Sequence, residues 1–310
     1  MAAQTLAEAK KLINNEIVAG VVQDIIDVNP MYAMLPFVGY TGQALLVNRE
    51  DALGDASTFA VDATITSKAA ATFVQGTFTS TKIIGDVEMD GLVQAQSASA
   101  GVDQTAVEIS SKAKSVGRIF QQGIATGTGT SPAMNSLHSL VDSGQLTTAS
   151  AGQALSFTLM DEGMDLVLSK DGDVDWCMMP ARTMRSYKVL LRALGGTPGD
   201  WVVTLPDGRT TIAYEGIPIF KNTHLSVAET ANGAALTTGA LTSVWFGNFD
   251  DGSEKVGVAG IHPSSVPAGI MVEAIGKQEA KDNEIIRVKQ YANFANFNRK
   301  GISRLTSINN

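Results

Sequence analysis

The side chains able to do chemistry are few and far apart. His138, His224 and His262 are the three histidines. None has a partner one helical turn away to set two imidazoles around a zinc ion, so each reads as a structural residue. Asp171-Gly172-Asp173-Val174-Asp175 begins like a calcium loop, with carboxylates at alternate positions. Trp176 stands where that loop needs glycine and Arg182 where its bidentate glutamate belongs, so a solvated turn is the better reading. Gly127-Thr128-Gly129 is too short for a dinucleotide fingerprint and lacks the Gly-Lys-Ser/Thr of a phosphate loop; it reads as a turn. No Gly-x-Ser-x-Gly elbow occurs and no clustered carboxylates stand out as a site. Arg182, Arg185, Lys188 and Arg192 fall along one face of an expected helix and would suit phosphates or acidic partners. With no aromatic interleaving and no second basic cluster, a solvated or subunit-contact face is preferred. The sequence therefore assigns no catalytic, cofactor-binding or metal-binding residue and expects no cofactor.

Length and charge narrow the field further. A chain of 310 residues buries roughly three-quarters of its unfolded surface, enough for a core divided between about two domains. Its single cysteine, Cys177, excludes an internal disulfide framework and a multi-cysteine zinc site, and is expected as a small buried group in a strand. Glu8, Lys10 and Lys11 precede any apolar run, which is not the order of a secretory signal. No apolar stretch approaches the roughly 18 residues of a membrane span. The expectation is a soluble protein suited to a reducing cytoplasm. A formal charge of -8 disfavours general nucleic-acid binding, which needs a basic balance to neutralise phosphates, but is compatible with an acidic wall to which DNA does not stick.

The elements follow from capping and periodicity. Thr5-Leu6-Ala7-Glu8 reads as a capping box, and Leu6, Ala9, Ile13, Ile17, Val21 and Ile25 make a helical stripe that Asn29-Pro30 ends. This helix either packs on the chain's own core or lies as an arm on a neighbour. Residues 44 to 50 look like a strand, Ala71 to Met89 like a longer extended run, and the tract between is polar and small. That is the composition of a two-stranded ribbon, marginal alone and needing something to lie against. Val102, Ala106, Ile109, Ala113, Val116, Phe120 and Ile124 predict a one-sided helix from about Asp103 to Ile124. After a small-residue tract at 143 to 154 come a helix around Phe157 to Leu168, a buried strand from Val174 to Met179, and a helix from Arg182 to Leu194 closed by Gly195-Gly196. Strands are expected near 201–205, 210–214, 217–221 and 244–249, and again toward the carboxy end, where Ile286 and Val288 alternate with Arg287 and Lys289.

In order and distance these segments resemble the major capsid proteins of tailed bacteriophages, the Hong Kong 97-type fold. The resemblance rests on Gln121 to Gly129, similar to the family's glycine-rich turn after its spine helix, and on the strand, proline, helix and glycine unit from Val174 to Gly196. Gly216-Ile217-Pro218-Ile219 and Trp245-Phe246-Gly247-Asn248-Phe249-Asp250 complete it. Asn135-Ser136-Leu137 departs from the pattern where the family often has a Gly-Leu pair. The resemblance implies an α+β fold with an amino-terminal arm at 1–43, an extended β-ribbon loop at 44–83, a peripheral domain at 84–150 and 263–310 with the long spine helix, and an axial α/β domain at 151–262. It implies a non-enzymatic subunit that assembles with itself into the hexamers and pentamers of an icosahedral head enclosing double-stranded DNA. The expected further partners are a portal and scaffold or decoration proteins, with packaged DNA held non-specifically at the inner face and no membrane. The location would be the virion, after synthesis in a bacterial cytoplasm. Because the sequence opens on the arm helix, no long amino-terminal scaffolding segment is expected. An encapsulin-like nanocompartment is the alternative within the same fold. A monomeric α/β enzyme would need a cluster of titratable groups that the sequence does not offer. In some members a ribbon lysine joins a neighbour's asparagine; Lys68 or Lys82 with Asn283, Asn293 or Asn296 are the residues to consider, and ordinary surface lysines and turn asparagines are the preferred reading.

Overall fold

The computed structural model describes residues 31–99, 104–149, 151–169, 172–195, 201–206, 208–252 and 256–309. The arm helix expected at residues 6–29 lies outside them. Two sheets organise the rest. In the first, β1 (Phe37–Tyr40) runs parallel to β11 (Val258–Pro263), and β11 pairs antiparallel with the end of the long strand β13 (Asn283–Asn296). The earlier part of β13 carries β4 (Thr81–Asp90) and β12 (Met271–Lys277), both antiparallel. A short helix α1 (Gly91–Ser99) leads to the spine helix α2 (Gln104–Thr126), which packs on β4 and β13. Only the second half of the expected stripe is deeply buried: Val116, Phe120 and Ile124 are in the core, Ile109 and Ala113 half-buried, and Ala106 exposed.

The second sheet has seven strands in the order β5 (Gln153–Ala154), β14 (Ile302–Asn309), β10 (Thr242–Gly247), β6 (Trp176–Met179), β9 (Ile217–Lys221), β8 (Thr210–Tyr214) and β7 (Val202–Thr204). Its centre is buried on both faces, which is why β6 and residues 244–246 of β10 read as apolar runs rather than alternating ones. Successive side chains of a strand point to opposite faces. Trp176, Met178 and Trp245 therefore enter one core with Phe120 and Phe294, while Cys177, Met179, Val244 and Phe246 enter another with α3 (Phe157–Leu168) and α4 (Ala181–Leu194). The first core spans both sheets and holds them together. Gly163 lets α3 approach this closely, since a Cβ there would sit 2.6 Å from the Phe246 ring. Gly195 ends α4 in the left-handed conformation, φ 68°, as the sequence predicts.

Strand pairing decides where three segments of the chain go. Residues 302–309 form the strand β14 beside β10 in the seven-stranded sheet, and β11 lies between β1 and β13 in the first. The physical reason is burial. β14 is covered on both faces nearly to its end, and Leu305 and Ile308 pack in the core of α3 and α4. The extended run from Ala71 to Met89 is likewise two strands. Thr79-Ser80 interrupts it because side chains replace the ladder: Asn293 Nδ2 donates to the Thr79 carbonyl at 2.7 Å, and the Ser80 amide donates to the Tyr40 hydroxyl at 3.0 Å.

Candidate assembly interface

The ribbon consists of β2 (Leu45–Ala52) and β3 (Thr72–Phe78), paired antiparallel from Leu45 opposite Phe78 to Ala52 opposite Thr72. Between them, residues 53–71 have no regular strand or helix and are exposed at almost every position. Small and polar residues dominate this tip, yet Leu53 is 80% exposed, Val61 93% and, on β3, Phe73 69%. Large apolar side chains held in water on a two-stranded ribbon are a surface awaiting a partner.

The root of the ribbon is fixed to the body. Arg49 Nε donates to the Phe297 carbonyl at 2.9 Å, its Nη2 donates to the Asn296 carbonyl, and its guanidinium lies 5.4 Å from the Phe78 ring centroid. Gly76 leaves room for that guanidinium: a Cβ would come within 3.2 Å of it. Arg299 bridges Asp51 at 2.9 Å and Asp142 at 3.1 Å, with Lys300 3.7 Å from the same Asp142. Burial would raise Asp142, but Arg299 and Lys300 outweigh it and hold the carboxyl below its ordinary value. Burial and the nearby Arg299 both press Arg49 downward from its ordinary value. The ribbon's strands are thus tied to the body while the residues between them are uncovered.

A buried polar joint ties the loop before β10 to β14. Arg304 Nη2 donates to Glu229 Oε2 at 2.9 Å and Nε to Ser243 Oγ at 3.0 Å, and the Ser243 hydroxyl itself donates to Glu229. The guanidinium lies 4.9 Å from the centre of the Trp245 ring. His138, on a single helical turn (Leu137–Leu140), meets that ring edge-on at 4.7 Å, with Nε2 3.9 Å from Glu229 Oε1. Burial, with Arg304 beside it, pushes His138 down to about 3, so the imidazole is neutral. Burial pushes Glu229 up, against the pull of Arg304 and Ser243. Removing either charged partner would strand the other in a dry site.

The other sequence candidates are dispersed. His262 Nδ1 is within 3.0 Å of the Pro263 carbonyl and 2.9 Å of the Val266 carbonyl, and the His224 amide donates to Asn222. Among the described residues no three His, Cys, Asp or Glu side chains are placed to hold a metal ion. Asp173 accepts from the Val174 amide and Asp175 from the Phe249 amide, so these carboxylates serve the backbone. The amides of Gly127 and Gly129 are committed to the Gly123 and Met134 carbonyls. Burial pushes the Cys177 thiol up, away from a reactive thiolate. Lys68 and Lys82 are exposed, whereas Asn283, Asn293 and Asn296 are buried in β13; Asn293 donates to Thr79 and accepts from the Asn135 amide. Sequence reasoning missed the anchors of the ribbon root and the Glu229–Arg304 pair. Partners 248 and 75 residues apart leave no local signal.

No helix among the described residues is long and apolar enough to cross a membrane. No sequence-family description and no curated protein sequence matches the chain. Solved structures match it over its full length. The holo-SrpI encapsulin complex of Synechococcus elongatus is similar at a TM-score of 0.72 and 14% identity, covering 100% of this chain and 97% of that one. The capsid of cyanophage A-1(L) is similar at 0.70 and 11% identity, covering 97% and 98%. The capsid of a native GTA particle gives 0.67 and 12% identity over 97% of both chains. The chain therefore has the Hong Kong 97-type fold, the fold of tailed-phage major capsid proteins that its sequence resembles.

Proposed function

We propose that this chain is a major capsid protein that assembles with itself into the icosahedral head of a tailed bacteriophage. The observation that carries the reading is the ribbon: its root is pinned by Arg49 and Arg299, its tip holds Leu53 and Val61 in water, and β3 holds Phe73 there beside it. One subunit cannot bury that tip, and overlapping neighbours in a closed shell can. Structures of the same fold, several of them phage capsids, support it. On this reading copies ring up as hexamers and pentamers, the acidic wall encloses double-stranded DNA without gripping its sequence, and a portal, scaffold or decoration proteins join the shell. A decoration protein accompanies the capsid protein in one similar structure, that of phage G. The head shell is the location, after synthesis in the bacterial cytoplasm, and the role is structural rather than enzymatic. The domain division is proposed as arm, ribbon, peripheral and axial regions, with β14 assigned to the axial sheet. An encapsulin-type compartment is the second reading, favoured by the similarity to the Synechococcus shell.

Electron microscopy of the purified chain tests this: closed shells or rings are expected. A chain that stays monomeric at every concentration and salt would overturn it, and shells that capture a docking peptide from a host enzyme would favour the second reading.

A further inference from the structure

The basic helix face noted in the sequence has a counterpart on the neighbouring helix. In α4, Thr183, Tyr187 and Leu191 are buried, and Arg185, Lys188, Val189 and Arg192 are exposed on the opposite side. At 100° per residue these four make one stripe. No acidic residue occurs anywhere in α4. In α3, Met160, Gly163, Met164 and Val167 are buried, and Asp161, Glu162 and Asp165 are exposed opposite them. No basic residue occurs in α3. Both helices pack into the same core on one face of the seven-stranded sheet, and Phe157 of α3 meets Tyr187 of α4 at 6.3 Å between ring centres.

Although the two helices share a core, their stripes do not neutralise each other. Among the described residues Arg185, Lys188, Arg192, Glu162 and Asp165 form no ion pair within the subunit. Asp161 is held by the Tyr214 hydroxyl. Like charges three and four residues apart oppose a helix, so each stripe is locally unfavourable until an opposite charge covers it. Each also carries exposed apolar surface, Val189 at 59% on α4 and Leu168 at 44% on α3, giving an apolar contact flanked by charges as interfaces have.

We propose that α3 and α4 are the two halves of a charge-matched contact between copies of this chain, the basic stripe of one copy meeting the acidic stripe of the next. This deepens the shell-subunit reading and rests on it. Every copy brings both halves, so the contact is head-to-tail and closes into a ring wherever the rotation between copies does. Nucleic acid is the weaker occupant for the basic stripe, because the chain's net charge of -8 and the acidic stripe of α3 over the same core oppose phosphates.

Three variants test the pairing: Arg185→Glu with Lys188→Glu and Arg192→Glu; Glu162→Lys with Asp165→Lys; and all five together. These side chains lie outside the cores, so melting curves should match the parent; if a reversal melts early, glutamine at the same positions replaces it. Sedimentation and electron microscopy, at low and high salt, read the association. Each single-stripe reversal should slow assembly about tenfold or more at low salt, parent and variant should converge at high salt, and the five-fold variant should recover. Single-stripe reversals that assemble like the parent, or a five-fold variant no better than they are, would overturn the proposal. So would a basic-stripe variant that assembles normally but sheds nucleic acid. A parent that forms no shell fails the shell reading instead, and the stripes are then judged by whether the same reversals weaken and restore self-association in sedimentation.

Discussion

At the residue scale, Phe120 is the most informative side chain of the spine helix. It is fully buried, 6.0 Å from the Phe37 ring, in the core that also takes Phe294 of the first sheet and Trp245 of the second. Truncation to alanine removes the ring and leaves a cavity among elements that cannot all collapse into it. Phe120→Ala should therefore cost about 3–5 kcal/mol in denaturant unfolding, while Ile109→Ala, on the half-buried part of the same stripe, costs less. Equal stability of Phe120→Ala and parent would mean that the ring does not hold the core.

At the element scale, the ribbon combines a firm root with a tip that has nothing to pack on. Its two strands supply each other's ladder but only part of an apolar face, and such pairs are marginal in isolation. Hydrogen exchange should find residues 53–71 poorly protected in the dissociated subunit and protected after assembly, with the Arg49 root protected in both. The same exchange rates at the tip before and after assembly would show that no neighbour covers it.

At the scale of the whole molecule, the two sheets meet across one core, and the polar joint of His138, Glu229 and Arg304 sits where they meet. A neutral imidazole held at about 3, against an ordinary 6.5, binds fewer protons folded than unfolded through that interval. Stability should then rise with pH across the window and be lost as pH falls from about 6.5 toward 3. The His138 contribution can reach about 1.4 kcal/mol per pH unit within it. Denaturant melts at neutral and at mid-window pH should show a larger acid loss for the parent than for His138→Gln, which cannot take the proton. An identical loss in both would mean that His138 is not kept neutral by the fold.

Local chemistry made much of this architecture readable in the sequence. The spacing of Val116, Phe120 and Ile124 gave the spine helix, Gly195 its place as the cap of α4, and the polar tract after Ala52 the tip of the ribbon, because capping, periodicity and turn preference act over a few residues. The resemblance built on those segments led to the fold that the structure has. Strand partnership was not readable. Whether Ile302–Asn309 lies beside β13 or β10 depends on which sheet offers a buried edge, and a strand covered on both faces carries no alternation to say so. Nor was the buried pair of Glu229 with Arg304, or the anchoring of Arg49 to Asn296 and Phe297. These contacts join residues 75 to 248 positions apart, and only the folded chain brings them within reach and dries them enough to matter.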